Sequence, residues 1–261
     1  MTVDDVARTV AFSSAREWDA GRSAGSLVVA WQHPTSRLIS AVGLLQHGDE
    51  SGYTFRYLQR AAAVPDFQPF LSFPELGRAY RSDTLFPLFS QRIMSPRRPD
   101  FSQFLRQLDL DENATPWEQL ARSEGRSSGD TVQVFPVPVV APDGSASCRF
   151  LVHGVRHVGE GRLPELAMGA PLTLRPDPGN PVNPSAQLIC SDEGEPLGYV
   201  PDLLLEHVDA LSRSGRPMKL TVEHVNGVEA PPHLRLLVRL DGHGPAGYQP
   251  MSGPAWAVAT T

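Results

Sequence analysis

The sequence predicts an α+β fold rich in β-structure, with an antiparallel meander and helices in its first half. A small, partly closed β-barrel with one or two helices is predicted in the second half. The 22 glycines and 25 prolines form about 18% of the chain, against a usual ~12%, which suits short strands joined by turns. Apolar residues also occur in short runs bounded by turn residues, and a helical period is confined to a few segments.

Three strands are predicted near the start of the first half. Residues 27–31 and 38–45 are short apolar runs, and aromatic side chains alternate along residues 53–57. Branched and aromatic residues in such runs favour strands. Because tight turns separate the three runs, they predict an antiparallel meander.

Helices follow these strands. Four apolar side chains recur at helical spacing over residues 101–108, which predicts a helix with one buried face. A second helix is predicted after Thr115, which forms a capping box with Glu118 and precedes Pro116 at the first helical position. Residues 132–140 are extended and rich in proline.

The second half contains several short β-like segments and one clear helix. The helix begins at Pro201 and ends near Ser212, with apolar residues at helical spacing on one side. About six strands with one or two helices in roughly 100 residues are typical of a small barrel. The predicted strands comprise residues 149–155, 171–175, 186–189, 197–200, 219–225 and 234–240.

These patterns divide the chain into four parts. Residues 1–25 are predicted to be a lead-in, with one short helix around Trp18. Residues 26–140 form the first unit and residues 145–241 form the barrel. Residues 242–261 are a tail rich in glycine and proline, with Trp256 expected to pack back onto the protein.

The charge distribution excludes broad wrapping of duplex nucleic acid. The formal net charge is −6, and residues 1–143 and residues 144–261 each carry −3 of it. Because neither half is basic, neither supplies the positive surface that such wrapping requires.

The sequence contains no motif that indicates an enzyme. It lacks a phosphate-binding loop, a nucleophile elbow and a dinucleotide fingerprint. His153 and His157 would lie on one face of a strand, but no third ligand follows at a metal-binding spacing. We therefore expect a non-catalytic protein without a metal or a cofactor.

Several features predict a cytoplasmic bacterial protein. Cys148 and Cys190 stand alone, as expected of buried free thiols in a reducing compartment. Asp4 and Asp5 stand near an N-terminus without the apolar stretch of a secretion signal, and no apolar run reaches the ~18 residues of a membrane span. All basic residues except Lys219 are arginine, as expected of a GC-rich bacterial genome.

The most specific pattern in the chain covers residues 172–186 and 197–201. A strand leads into an irregular loop with four prolines, and a second strand returns from it and ends in Gly198-Tyr199-Val200 before a helix. Prolines restrict the unfolded loop, so that less entropy is lost when the loop becomes ordered. A rigid loop at the mouth of a barrel is well suited to ligand recognition.

This pattern resembles the HIRAN domain over residues 145–240. The resemblance implies a modified OB-like, SH3-like β-barrel that binds DNA and, in the best-known members, grips the 3′-hydroxyl end of a single strand. An upstream segment, Gly154–His157, is similar to a strand end of that family. The matching residues are Asp177, Pro178, Asn180, Pro181, Ala186, Gly198, Tyr199, Val200 and Pro201.

The resemblance also implies a set of DNA-binding residues. Arg156 would contact a phosphate or stack on a base, and His157 takes the place of an aromatic residue that stacks on a base. Asn180 and Asn183 would line the loop, and Tyr199 would lie beside it. A terminal nucleotide needs such stacking surfaces, hydrogen-bonding groups and phosphate contacts.

The chain departs from the family pattern at three positions. Val182 and Asn183 stand where end-binding members carry an aromatic residue and an aspartate, and Asp202 lies where those members have a lysine near the start of the final helix. The resemblance therefore leaves open whether single strands or DNA ends are bound, and whether the ligand of the barrel is DNA or a protein.

The first unit resembles the N-terminal subdomain of HipA-type toxin kinases over residues 26–140. The kinase catalytic domain is absent from this sequence, so the resemblance implies a partner-binding or regulatory module. The same aromatic residues would also serve as an ordinary core. The resemblance rests on residues 53–57, 70–74, Tyr80, 85–89, 104–105 and 120–122.

Together these patterns predict a non-catalytic DNA-binding protein whose barrel contacts single-stranded DNA or DNA ends. The alternative is an antitoxin-like regulator of a separately encoded HipA-type kinase, with no DNA binding. Arg97 and Arg98 form a compact basic segment. With Arg175 they are candidate contacts for phosphate or for an acidic partner.

Overall fold

The computed structural model describes residues 25–48, 52–126 and 130–260. The predicted lead-in, including the helix around Trp18, lies outside the described residues apart from residue 25.

The first sheet contains five antiparallel strands in the order β4-β3-β2-β1-β5. Its neighbouring strands β1, β2 and β3 are joined in sequence order, which confirms the predicted meander. The strands are β1 (Ser26–Gln32), β2 (Ile39–Gly48), β3 (Gly52–Tyr57), β4 (Tyr80–Ser82) and β5 (Val132–Pro136).

The first unit also has three short helices: α1 (Pro87–Ser90), α2 (Phe101–Gln107) and α3 (Pro116–Arg122). Helices α1 and α3 pack into the core of this sheet through Phe89 and Leu120, whereas α2 packs towards leucines of the second sheet. The capping box of α3 is present, since Thr115 Oγ1 accepts from the backbone of Glu118 and the Glu118 side chain accepts from the backbone of Thr115. This confirms the predicted helix start.

Aromatic side chains form the core of the first unit. Phe55, Tyr57, Phe73 and Phe89 are fully buried. The Tyr57 hydroxyl donates to the Phe73 carbonyl at 2.9 Å, and burial raises its pKa to about 12. These rings therefore supply packing surface, as the ordinary-core interpretation expects.

The second sheet is antiparallel and has the order β10-β9-β8-β11-β12-β7-β6. The residue pair His153–Tyr199 joins β10 to the chain that directly follows β7, so six of the strands close into a barrel. The strands are β6 (Val139–Val140), β7 (Ser145–Leu151), β8 (Pro171–Pro176), β9 (Gln187–Ser191), β10 (Pro196–Tyr199), β11 (Lys219–Val225) and β12 (Leu236–His243).

Two helices belong to the barrel: α4 (Val155–Val158) and α5 (Leu205–Arg213). The amphipathic α5 buries Val208 and Leu211, as its spacing predicts. Single 3₁₀ turns occur at Gln59–Ala63, Glu160–Glu165, Asp202–Leu204, Pro232–Leu234 and Pro254–Trp256.

The strand predicted over residues 149–155 ends at Leu151. Gly154 adopts a left-handed conformation with a φ of 70°, and α4 begins directly after it. Arg156 and His157 therefore lie on a helical turn, and the prediction that they end a strand is wrong. The expectation that His153 and His157 share a strand face is wrong for the same reason.

The first unit packs against the barrel and against the tail. At one contact, Leu108 after α2 packs against Leu151 and Leu237 of the barrel. At another, the face of the first sheet that points away from its aromatic core packs against Leu203, Trp256 and Val258.

The tail also pairs with the end of β3. Leu58 and Val258 form an antiparallel bridge, and the Ala259 backbone N–H donates to the Tyr57 carbonyl at 2.8 Å. Trp256 donates from Nε1 to Glu206 at 3.2 Å, which confirms that this residue packs back. Each helix of the described ranges is too short or too polar to traverse a lipid bilayer.

His207 of α5 provides a test of the tail packing. Its ring is buried and stacks on Tyr248 of the tail, with centroids 5.8 Å apart, and burial lowers its pKa from 6.5 to about 4. Below pH 6.5 the His207 side chain of the unfolded chain binds a proton, whereas in the folded protein it stays neutral down to about pH 4. We therefore expect the free energy of unfolding to fall between pH 6.5 and pH 4, by roughly 1.4 kcal/mol per pH unit from this residue.

The measurement is urea unfolding as a function of pH for the wild type and for His207→Gln. The variant should lose this part of the pH dependence, whereas His157→Gln, at an exposed position, should retain it. If the His207→Gln profile parallels that of the wild type between pH 6.5 and pH 4, the folded protein does not keep His207 neutral.

Candidate functional site

Four residues on neighbouring strands form a row across the outside of the barrel, which we call the outer row. Arg175 of β8 lies opposite Leu188 of β9, Leu188 lies opposite Tyr199 of β10, and Tyr199 lies opposite His153. Directly opposed residues of antiparallel strands point to the same face. The adjacent residue Ile189 is fully buried in the barrel core, so the outer row points away from the core.

The closure of the barrel fixes one end of this row. The backbones of His153 and Tyr199 exchange two hydrogen bonds, at 3.0 and 2.8 Å. A Cβ atom at Gly198 would lie 2.5 Å from the His153 carbonyl oxygen, closer than real contacts allow. Glycine is thus required before Tyr199 because the two strands approach each other closely here.

The loop at residues 177–186 stands beside the outer row, and we call it the proline loop. Its base is closed by a hydrogen bond from the Asp177 N–H to the Ala186 carbonyl at 2.9 Å. Inside it, Asn180 Oδ1 accepts from the N–H groups of Val182 and Asn183 at 3.0 and 3.1 Å. The side chain of Asn180 therefore holds the turn of its own loop.

Asn183 ties the proline loop to the next helical turn. Its Oδ1 accepts from the Ser185 N–H at 3.0 Å, and its Nδ2 donates to Asp202 at 2.9 Å. Both polar ends of Asn183 are thereby engaged within the protein. That Asn180 and Asn183 contact DNA stays a prediction, and the geometry gives each of them a role inside the loop.

Tyr199 connects the outer row to the proline loop. Its hydroxyl donates to Asp177 Oδ2 at 3.0 Å. Burial, followed by this hydrogen bond, raises the pKa of Tyr199, so the hydroxyl keeps its proton to a higher pH than an ordinary tyrosine does. The hydroxyl is thus occupied, and the half-exposed ring remains as the surface that a ligand can contact.

Gly154 lies close to the Tyr199 ring, since a Cβ atom on Gly154 would lie 3.1 Å from that ring. Arg156 and His157 follow two and three residues later, on α4. Both side chains are exposed. Within the described part of the chain, Arg156 makes no hydrogen bond or ion pair through its side chain. Its guanidinium is therefore available to an anion.

The other arginines that were predicted to contact phosphate or an acidic partner lie in two separate parts of the structure. Arg175 is exposed in the outer row, near Tyr199. Arg97 and Arg98 lie before α2 in the first unit, and Arg98 forms a two-pronged pair with Asp100 at 2.9 and 2.7 Å. Arg175 therefore joins the outer row, and Arg97 and Arg98 do not.

A buried hydrogen bond between the two units was not predicted from the sequence. His153 Nε2 lies 2.8 Å from Glu124 Oε2, and the Glu124 side chain is only 4% exposed. Glu124 has a φ of 56°, which is unusual for a residue other than glycine. No local sequence signal pairs Glu124 with His153, which lies 29 residues further along the chain.

The described residues contain no group of three or more potential metal ligands among His, Cys, Asp and Glu. Cys148 and Cys190 are both buried free thiols, as predicted.

Comparisons with known proteins give a limited result. No family model matches the chain, and no curated protein matches it. Among solved structures, it is similar to a protein from Lactobacillus plantarum, at 22% identity over 38% of this chain and 100% of that chain, with a TM-score of 0.29. It is also similar to the HIRAN domain of human HLTF, at 18% identity over 39% of this chain and 80% of that chain, again with a TM-score of 0.29.

Neither of these two structures is described as a HipA-type kinase, and the resemblance of the first unit to such kinases stays a prediction.

Gly198 offers a test of the barrel closure. Gly198→Ala places a Cβ atom against the His153 carbonyl, so we expect a loss of roughly 2–4 kcal/mol of folding free energy and a displaced Tyr199 ring. Gly161→Ala is the matched control, because a Cβ atom there meets no other atom within 4 Å. Urea unfolding of the two variants measures the difference, and equal stability would contradict the close approach.

Proposed function

We propose that this chain is a non-catalytic DNA-binding protein whose barrel contacts single-stranded DNA or DNA ends. The observation that carries the proposal is the outer row, in which the exposed Arg175 and the ring of Tyr199 share one face. The exposed Arg156 and His157 on α4 extend the same site. This is the region that resembles the HIRAN domain in sequence.

The side chains of the site suit a single strand. Unstacked bases bind to aromatic rings and to guanidinium planes, and arginine also binds phosphate through paired N–H groups. Tyr199 and His157 offer rings, and Arg156 and Arg175 offer guanidinium groups.

The rigidity of the surrounding structure supports the same proposal. The barrel closure holds Tyr199, and the hydrogen bonds inside the proline loop hold the rim beside it. A preorganised site loses less entropy when a ligand binds.

The charge of the protein limits the strength of this contact. The net charge of −6 repels DNA at long range, so attraction must come from the few cationic groups at the site. Each phosphate neutralised on a single strand contributes about −0.7 to the slope of log affinity against log salt. We therefore expect a shallow salt dependence that corresponds to a few phosphates.

Fluorescence anisotropy with a labelled single-stranded oligonucleotide tests the proposal. Arg175→Gln and Arg156→Gln should each weaken binding roughly tenfold, since a hydrogen bond to a charged group contributes about 1.5–3 kcal/mol. Arg81→Gln is the control, because Arg81 is exposed on β4 of the other sheet. Absence of binding by the wild type at low salt would exclude the proposed function.

Two modified oligonucleotides separate strand binding from end binding. If the protein reads an end, blocking the 3′-hydroxyl should weaken binding, whereas blocking the 5′ end should not. Equal affinity for both oligonucleotides assigns the site to the strand interior.

A second candidate function is binding of a protein partner by the first unit. The observation that favours it is Leu71, whose side chain is fully exposed in the loop between Phe70 and Phe73. An apolar side chain held in water at a loop tip is available as an anchor for another protein. A HipA-type kinase encoded separately is the partner that the sequence resemblance suggests.

Partner capture from the native host tests this second function. A kinase recovered with the wild type should be lost with Leu71→Asp and kept with Leu38→Asp, which alters another exposed leucine of the first unit. Recovery that is equal with both variants would exclude Leu71 as the anchor.

A further inference from the structure

An arginine-lined cleft lies where the first unit meets the barrel. Its volume is about 400 Å³, and its described lining includes Arg92, Arg98 and Arg126 from the first unit and His233 from the barrel. None of the described lining residues carries a carboxylate. The described lining thus supplies three guanidinium groups on a protein whose net charge is negative.

Two of the three arginines are held in place by other groups. Arg92 is almost fully buried, pairs with Asp130, and donates to the carbonyls of Leu88 and Gly125 at 2.8 and 3.1 Å. Arg98 pairs with Asp100. These two residues shape the cleft, and their own charges are largely neutralised.

Arg126 differs from the other two arginines. It is half-buried, and no described residue provides a hydrogen bond or an ion pair to its side chain. A guanidinium in such a position is a binding group for an oxyanion.

The neighbouring His233 supplies a second polar group. Burial, followed by the charge of Arg126, lowers the pKa of His233 to about 4, so its ring is neutral at pH 7. A neutral imidazole can donate a hydrogen bond to a phosphate oxygen.

The cleft adjoins the outer row of the barrel. His153, at the end of that row, hydrogen-bonds Glu124, which lies two residues before Arg126. The charges of Glu124, Arg126 and His153 all act on His233, so these groups lie close together. A strand that contacts the outer row can therefore continue towards the cleft.

The geometry points to a second phosphate site in this cleft, with Arg126 as its cation and His233 as a hydrogen-bond donor. The site would take a backbone phosphate of the strand held by the outer row, and it would extend the DNA surface from the barrel to the first unit. This inference rests on the proposed function, because it assigns a further contact to the same ligand.

Oligonucleotides of two lengths test the inference. Single-stranded sites span roughly 4–16 nucleotides per barrel of this kind, so a strand of about 4 nucleotides covers the outer row and one of about 16 reaches the cleft. Arg126→Gln should weaken binding of the long strand about fivefold to tenfold and leave the short strand unchanged. Arg175→Gln should weaken both, and Arg126→Lys, which keeps the charge, should recover most of the long-strand affinity.

The salt dependence gives a second measure of the same contact. For the long strand, the slope of log affinity against log salt should decrease by about 0.7 in Arg126→Gln, since one phosphate contact is lost. Thermal unfolding of the variant should match that of the wild type, because no described residue provides a hydrogen bond or an ion pair to the Arg126 side chain.

Nuclear magnetic resonance titration of the histidine rings adds an internal control. A bound phosphate favours the charged imidazole, so the long strand should raise the pKa of His233 from about 4. His207 also has a pKa of about 4, but its lowering comes from burial alone, and it should not change.

The outcomes distinguish this inference from the proposed function. If Arg175→Gln weakens both strands but Arg126→Gln binds the long strand like the wild type, the cleft inference is wrong and the proposed function stands. If the wild type binds neither strand, the proposed function fails and the cleft inference fails with it.

Discussion

The backbone pairing of His153 with Tyr199 is the interaction on which the rest of the barrel depends. These two hydrogen bonds join β10 to the end of β7 and so remove two open sheet edges. They orient the Tyr199 ring towards the outside of the barrel. They also bring the two strands so close together that position 198 requires glycine, and α4 begins directly after this pairing. The close contact between Gly154 and Tyr199 places the exposed Arg156 of α4 close to the ring.

The same histidine joins the two units through its side chain. Its hydrogen bond to the buried Glu124 connects the barrel with the chain after α3, and breaking a buried pair of this kind is costly because the remaining polar group loses its partner. The barrel therefore does not present its outer row in isolation. One edge of the row lies against the first unit, so that a ligand of the outer row would also lie close to the first unit.

Local signals predicted much of the fold, and long-range contacts did not follow from them. The capping box at Thr115 and the alternating aromatics of β3 act over a few residues, so the sequence was sufficient there. The local sequence around Gly154 is compatible with a strand or with a turn. The left-handed conformation of Gly154 accompanies its contact with Tyr199, a residue that is distant in sequence. The role of Asn180 as a ligand contact stays a prediction, and its hydrogen bonds within the proline loop could not be predicted because the sequence does not show which partners an amide will bind. The partnership of Glu124 with His153 spans 29 residues and leaves no local pattern.

The return of the tail to β3 constrains how the protein is made. Leu58 and Val258 lie 200 residues apart in the sequence, and contacts of such long range slow folding. During synthesis, the edge of the first sheet at Leu58 stays unpaired until the ribosome has released almost the whole described chain, because its partner is Val258. Nascent chains of this protein therefore expose a sheet edge for longer than either unit would if its contacts were local.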